Sequence, residues 1–184
     1  MANKLFFSWL AGFIDGDGSI HIGVKEENLN GNPYVAIRPV VNVSQHIHYE
    51  WVCEMIKEKL NIGKTYVSNR SNAKAKSTWQ TTKAKEIVPL LEKLLPYLIV
   101  KKAQAEAVIP VLKEWIKTSE LMKRKVQIRM SGKTLRTQKE VLSMIKVATT
   151  INAHMRTSAN SRGYKTYKEW VPLVRKMYPR TRKL

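Results

Sequence analysis

Two carboxylates one residue apart, Asp15 and Asp17, lie in a glycine-rich run from Leu10 to Ile20 that reads LAGFIDGDGSI. The run passes from an apolar helical pattern into Asp-Gly-Asp-Gly, in a chain where 14 Asp and Glu stand against 33 Lys and Arg. Acids are scarce enough for a pair flanked by Gly12, Gly16 and Gly18 to need a reason. As plain structure, it is an exposed Asp-Gly turn joining a helix to a strand. As chemistry, a carboxylate held at a helix terminus amid positive charge is a ligand for a divalent metal beside nucleic-acid phosphate.

The charge supports the second reading. A formal net charge of +19 and a pI near 10.1 point to a polyanionic partner. Residues 1 to 100 carry only +3 of it and residues 101 to 184 carry +16. Non-specific affinity for phosphate is therefore expected mainly from the second half. One cysteine, Cys53, excludes an intramolecular disulfide and a cysteine-rich zinc site, and its apolar neighbours Val52, Met55 and Ile56 mark it as a core residue. No apolar run approaches the length of a membrane span and no secretion signal opens the chain. The expectation is an intracellular protein, cytoplasmic in a prokaryote or organellar, with neither a membrane nor a small molecule as partner.

The elements that must position the acids follow from periodicity. A helix is predicted over Lys4 to Ile14, a strand over Ser19 to Lys25, a polar turn over Glu26 to Pro33, and a second strand over Tyr34 to Gln45. A helix from His48 to Leu60 follows, then strands near Lys64 to Arg70 and Lys76 to Thr82, then a helix from Lys83 to Leu95. Later helices are expected over Lys102 to Lys117, Thr137 to Met155 and Thr166 to Met177. Alternation gives each strand one apolar face and one polar face. The polar face holds Ser19, His21 and Lys25, then Arg38 and Asn42, then Tyr66, Ser68 and Arg70, then Lys76, Thr78 and Gln80, with Lys74 in the turn before the last strand. Arg suits guanine and Asn or Gln suits adenine, so this face can read base edges. The basic segments Met122 to Arg136 and Met155 to Lys168 read as phosphate-contacting loops, Arg156, Arg162 and Lys165 among them.

The run LAGFIDGDGS resembles the signature of the LAGLIDADG homing endonucleases. It matches at Leu10-Ala11-Gly12, at Ile14 and Asp15, and at Asp17 and Gly18, with Phe13 and Gly16 as substitutions. The resemblance implies an α+β fold, αββαββα, with a saddle-shaped antiparallel sheet that lies in the DNA major groove and further helices toward the C-terminus. Residues 1–120 would form the core domain and 121–184 a basic helical extension packed on it. The signature helix would meet its counterpart at a two-fold axis. Ser8 and Gly12, four apart on one helical face with Ala11 adjoining, suit such close packing.

The same resemblance implies a sequence-specific, metal-dependent endonuclease for double-stranded DNA, with a maturase acting on intron RNA or a non-cleaving DNA-binding regulator as the alternatives. Asp17 would be the catalytic metal ligand and the carbonyl of Gly16 a second. Oxygen donors favour Mg²⁺, with Mn²⁺ or Ca²⁺ as substitutes. Gln45, ending the second strand, would position water. Lys101 in LLPYLIVKKAQAE, with Lys102 as the alternative, would project into the active site. His46 and His48 are expected to be a solvated pair at the strand end rather than metal ligands. A single signature implies a homodimer on a long, pseudo-palindromic site.

Overall fold

The computed structural model describes residues 3–69, 74–126, 138–153 and 165–177. Asn3 starts the first helix, its side chain accepting the Phe6 N–H at 2.9 Å, and α1 runs Lys4–Asp17. The elements β1 (Gly18–Leu29), β2 (Asn32–His46), α2 (Glu50–Leu60), β3 (Lys64–Ser68), β4 (Lys76–Thr81) and α3 (Ala84–Leu94) follow. Then come α4 (Lys102–Val126), α5 (Gln138–Ala153) and α6 (Tyr167–Met177). The first seven are the expected αββαββα order. The four strands form one sheet in the order β1-β2-β4-β3, with β4 antiparallel to both β2 and β3.

Four boundaries depart from expectation. The helix α1 continues through both acids because the Gly18 N–H closes its last turn on the carbonyl of Ile14. The polar turn expected over Glu26 to Pro33 shrinks to Asn30 and Gly31, whose φ angles of 52° and 81° are those of a tight two-residue hairpin, so the flanking polar residues join the strands. A single 3₁₀ turn, Ile47–Tyr49, precedes α2. The helix α4 runs nine residues beyond Lys117, so the start of the expected basic loop from Met122 is helical.

The chain divides into two compact units. The first comprises Met1–His21 and Pro39–Lys117. Its core is built from Leu10 and Ile14 of α1, Ile20, Val41 and Val43 of the strands, Ile56 of α2, Trp79 of β4, Ile87, Leu91 and Leu94 of α3, and Leu112 of α4, none of them exposed. Here α1 packs on α3 while α2 covers β3 and β4. Cys53 is a buried free thiol, as expected.

The second unit comprises Ile22–Arg38 and Thr118–Leu184. Val35 of β2, Val141 and Ile145 of α5, and Trp170 and Val174 of α6 form its apolar cluster, with Val24 and Ile37 packed against it. Asn152 of α5 ties to β1 through both amide atoms: Nδ2 donates to the Ile22 carbonyl at 2.7 Å and Oδ1 accepts its N–H at 3.2 Å. As β1 is an edge strand, this amide covers main-chain groups at the position where another chain would pair.

Candidate active site

The close approach of α1 to β2 builds the site, and Gly18 permits it. A Cβ on Gly18 would lie 2.7 Å from the Cα of Ile14 and 2.9 Å from the carbonyl oxygen of Asn42. No larger residue fits where the helix end meets the strand. Three residues along β2 from Asn42, the amide of Gln45 donates from Nε2 to Oδ2 of Asp17 at 2.8 Å. Two residues 28 apart in sequence, each proposed for the chemistry, are thus in contact.

Asp15 turns away from that pair. Its carboxylate accepts the backbone N–H groups of Ile99 at 2.7 Å, Val100 at 3.2 Å and Lys101 at 2.8 Å. These donors lead directly into α4, so Asp15 sits where a helix N-terminus favours an anion. Lys101 returns the contact, its Nζ donating to the main-chain oxygen of Asp15 at 2.5 Å. The geometry distinguishes the two candidate lysines, since Lys101 is half-buried against the end of α1 and Lys102 is exposed on the first turn of α4.

The electrostatics set Asp17 apart. Carboxylates near a helix C-terminus oppose the helix dipole, and the last turn of α1 contains no basic residue. Asp15 is compensated by three N–H donors. Asp17 is exposed and bonded to an uncharged amide, in a position that favours a cation. The oxygens offered there, from the Asp17 carboxylate and the Gly16 carbonyl, suit a hard divalent ion. Among the described residues, no group of three or more His, Cys, Asp and Glu gathers as a metal cluster. His46 and His48 lie side by side at the strand end, ring centroids 4.8 Å apart and planes tilted by 41°, with no third such ligand among the described residues.

Of the residues expected on the polar sheet face, Ser19 and His21 bond to each other at 2.8 Å, and the Tyr66 hydroxyl donates to Gln80 at 3.1 Å. Asn42 and Ser68 are half-buried, and Lys74 and Lys76 are exposed. Thr78 departs from expectation: it is 2% exposed and its hydroxyl pairs with that of Ser44 at 2.8 Å, so it holds β4 to β2 instead of facing a base. In the second unit, Lys25 is exposed, Arg38 is bound to Glu27, and Lys165 pairs with Glu26. Arg70, Arg156 and Arg162 lie outside the described residues.

On α1, Ser8 and Gly12 are exposed but Ala11 is completely buried, so Ala11 belongs to the core of the chain and not to an outward face. The exposed residues of α1 are Lys4, Leu5, Ser8, Trp9, Gly12, Gly16 and Asp17. Neither Gly12 nor Gly16 has any atom within 4 Å of an added Cβ.

The family model for LAGLIDADG endonucleases matches residues 10–107. The chain belongs to this family. The DNA endonuclease I-CreI of Chlamydomonas reinhardtii is 29% identical over 112 residues, which cover 61% of this chain and 65% of that protein. The DNA endonuclease I-CvuI of Chlorella vulgaris is 30% identical over 112 residues, covering 61% and 66%. The aligned stretch thus spans under two thirds of either relative. Among solved structures, the homing endonuclease I-CvuI in complex with its target superposes with a TM-score of 0.69 at 22% identity, covering 95% of each chain. The archaeal intron-encoded homing endonuclease I-Vdi141I, complexed with DNA, gives 0.65 at 18% identity, covering 95% and 97%. These likenesses establish the LAGLIDADG fold over nearly the whole length.

The sequence reading alone resolved the outward face of α1 only in part. That reading placed Ala11 beside Ser8 and Gly12 by proximity in sequence, whereas helical phase puts Gly16 there. The three acceptor bonds of Asp15 carried no sequence signal beyond a second acid. Glu27, whose carboxylate binds both Arg38 and the Tyr34 hydroxyl, was missed because it fell in the stretch expected to be a polar turn.

Proposed function

We propose that this chain is a homing endonuclease that hydrolyses double-stranded DNA as a homodimer, at a long pseudo-palindromic site and with a divalent metal. The observation that carries the reading is the contact between Asp17 and Gln45 at the end of α1, beside an Asp15 that holds Lys101. The matched relatives are named DNA endonucleases, which favours the same activity here. A chain that only bound DNA would gain nothing from an exposed acid directed toward phosphate. An intracellular site of action is our reading of the charge and the single cysteine. No helix among the described residues is long and apolar enough to cross a membrane.

Asp17 and the Gly16 carbonyl would hold the ion, which we take to be Mg²⁺. When bound, the ion supplies Lewis-acid stabilisation of charge on the phosphate and acidifies water. The protein's own groups do the remaining work. Gln45, anchored on β2, orients water and the Asp17 carboxylate through its amide. Lys101 offers a positive charge to the phosphoryl oxygens, its stem fixed by the backbone bonds to Asp15. Ser19, His21, Lys25, Arg38, Asn42, Tyr66, Ser68, Lys74, Lys76 and Gln80 are proposed to meet the DNA.

The dimer is supported by what the protomer leaves unexplained. A helix-interior glycine costs about 1 kcal/mol relative to alanine. Nothing within the protomer requires Gly12 or Gly16 to lack a side chain. A second α1 packed on Ser8, Gly12 and Gly16 would require it. Leu5, Ile99 and Val100, at 78%, 85% and 70% exposure, would be covered by the same partner.

Cleavage selection tests the reading. A randomised duplex library is incubated with the protein and Mg²⁺, and the cut ends are sequenced. The expected result is paired cuts in both strands of a two-fold-related site, abolished by EDTA. Duplexes enriched by binding but never cut would replace the endonuclease with a regulator. Preferred binding of structured RNA, with no cutting of DNA, would replace it with a maturase.

A further inference from the structure

The β1–β2 hairpin holds a three-residue network that the proposed chemistry does not use. The carboxylate of Glu27 takes the end of the Arg38 guanidinium in a two-pronged pair, with Nη1 donating to Oε1 and Nη2 to Oε2, both at 2.6 Å. The Tyr34 hydroxyl donates to the same carboxylate at Oε2, at 2.5 Å. Strand alternation sets Glu27 on the polar face with Lys25, and Tyr34 on the polar face with Arg38. The Arg38 side chain remains 53% exposed while Glu27 is 26% exposed. The acid is the recessed partner, and the arginine is the one presented outward.

Donor counting gives this arrangement a use. A guanidinium has five N–H groups in a rigid plane. Glu27 takes one from each Nη at the end of the fork. The side edge, made of Nε–H and the outer hydrogen of the adjacent Nη, is a second parallel donor pair. Guanine offers O6 and N7 to such a pair in the major groove, and no other base offers two acceptors there. The Tyr34 hydroxyl and the Arg38 fork hold the Glu27 carboxyl below the usual glutamate range, so the anchor stays charged at neutral pH.

We propose that Glu27 and Tyr34 are positioning residues that fix the Arg38 side chain on the hairpin, so that it reads one guanine in each half of the DNA site. The inference rests on the endonuclease reading above. It adds an acid that strengthens recognition of an anionic partner by reducing the freedom of a base-reading arginine. A long side chain that reaches DNA already oriented loses less conformational entropy on binding.

The test uses the full-length protein and a randomised duplex library selected for binding in Ca²⁺, comparing wild type with Arg38→Ala, Glu27→Gln, Tyr34→Phe and the double variant Glu27→Gln/Arg38→Ala. Wild type is expected to show a guanine preference at one position, repeated by symmetry in the other half. Arg38→Ala should erase that preference alone, with all other positions serving as the control for folding. Glu27→Gln should weaken it about tenfold while leaving or raising affinity for unselected DNA, because an acid has been removed. Tyr34→Phe should weaken it to a smaller extent. The double variant should match Arg38→Ala at that position. If Glu27→Gln leaves the preference intact, or lowers every position equally, the positioning role is overturned. If Arg38→Ala changes no position, the guanine contact is overturned. If wild type enriches no duplex at all, the endonuclease reading falls first and this inference with it.

Discussion

At the scale of single residues, the two acids of the signature are chemically similar and differ in what surrounds them. Asp15 has three N–H donors and a lysine fixed to its own carbonyl, whereas Asp17 is open apart from the Gln45 amide. The first therefore shapes the protein and the second is exposed to whatever binds at the end of the helix. Replacing Asp15 with Asn puts an NH₂ donor among three N–H donors. The expected cost is about 2 kcal/mol, or a Tm lower by roughly 4–8 °C. Hydrogen exchange should quicken at Ile99, Val100 and Lys101, and unchanged exchange there would show that Asp15 does not hold the loop. This division was partly legible in the sequence, since spacing and glycines marked the acids and the resemblance selected Asp17. The partners of Asp15, more than eighty residues away, were not legible, because backbone donors leave no residue-type signal.

At the scale of elements, α1 uses its faces for different purposes. Leu10, Ala11 and Ile14 are buried in the first unit, and Ser8, Gly12 and Gly16 face outward. Gly12→Leu is expected to leave the Tm of the protomer unchanged or raised, since leucine is a better helix former and its Cβ would point into open space, yet to shift sedimentation from dimer to monomer. A dimer that persists in this variant would place the interface elsewhere. The junction of β4 and α3 supports a pH prediction. Burial alone would raise the Glu86 carboxyl, but bonds from Lys83, Thr81 and the Gly63 N–H outweigh it and hold the pKa below the ordinary 4.5. A lowered folded pKa contributes stability that is present above about 4.5 and is lost as pH falls through the folded value. Denaturant titrations should therefore show Glu86→Gln less stable than wild type at neutral pH, with the difference narrowing below that point; a constant difference would contradict the assignment. Element order was legible throughout because helical and strand periods are local. Turn chemistry was read less well, since Asn30-Gly31 closes a tighter hairpin than the surrounding polar run indicated.

At the scale of the whole molecule, the parts carry separable roles. Charge lies mainly beyond residue 100, the signature supplies one exposed carboxylate per protomer, and α1 presents small residues on its outward face. Composition alone pointed to an anionic partner, because net charge sums over residues regardless of fold. Thr78 shows why individual base-reading residues were harder to assign, since alternation placed it on the polar face while packing against Ser44 buried it. In the proposed mechanism Asp17 acts in cleavage and not in recognition, and a comparison of wild type with Asp17→Asn on one selected duplex, following binding and strand cleavage together in Mg²⁺, separates the two roles. The expected result is affinity equal to or tighter than wild type, with cleavage of both strands reduced at least about 10³-fold. Cleavage by Asp17→Asn at the wild-type rate would contradict it.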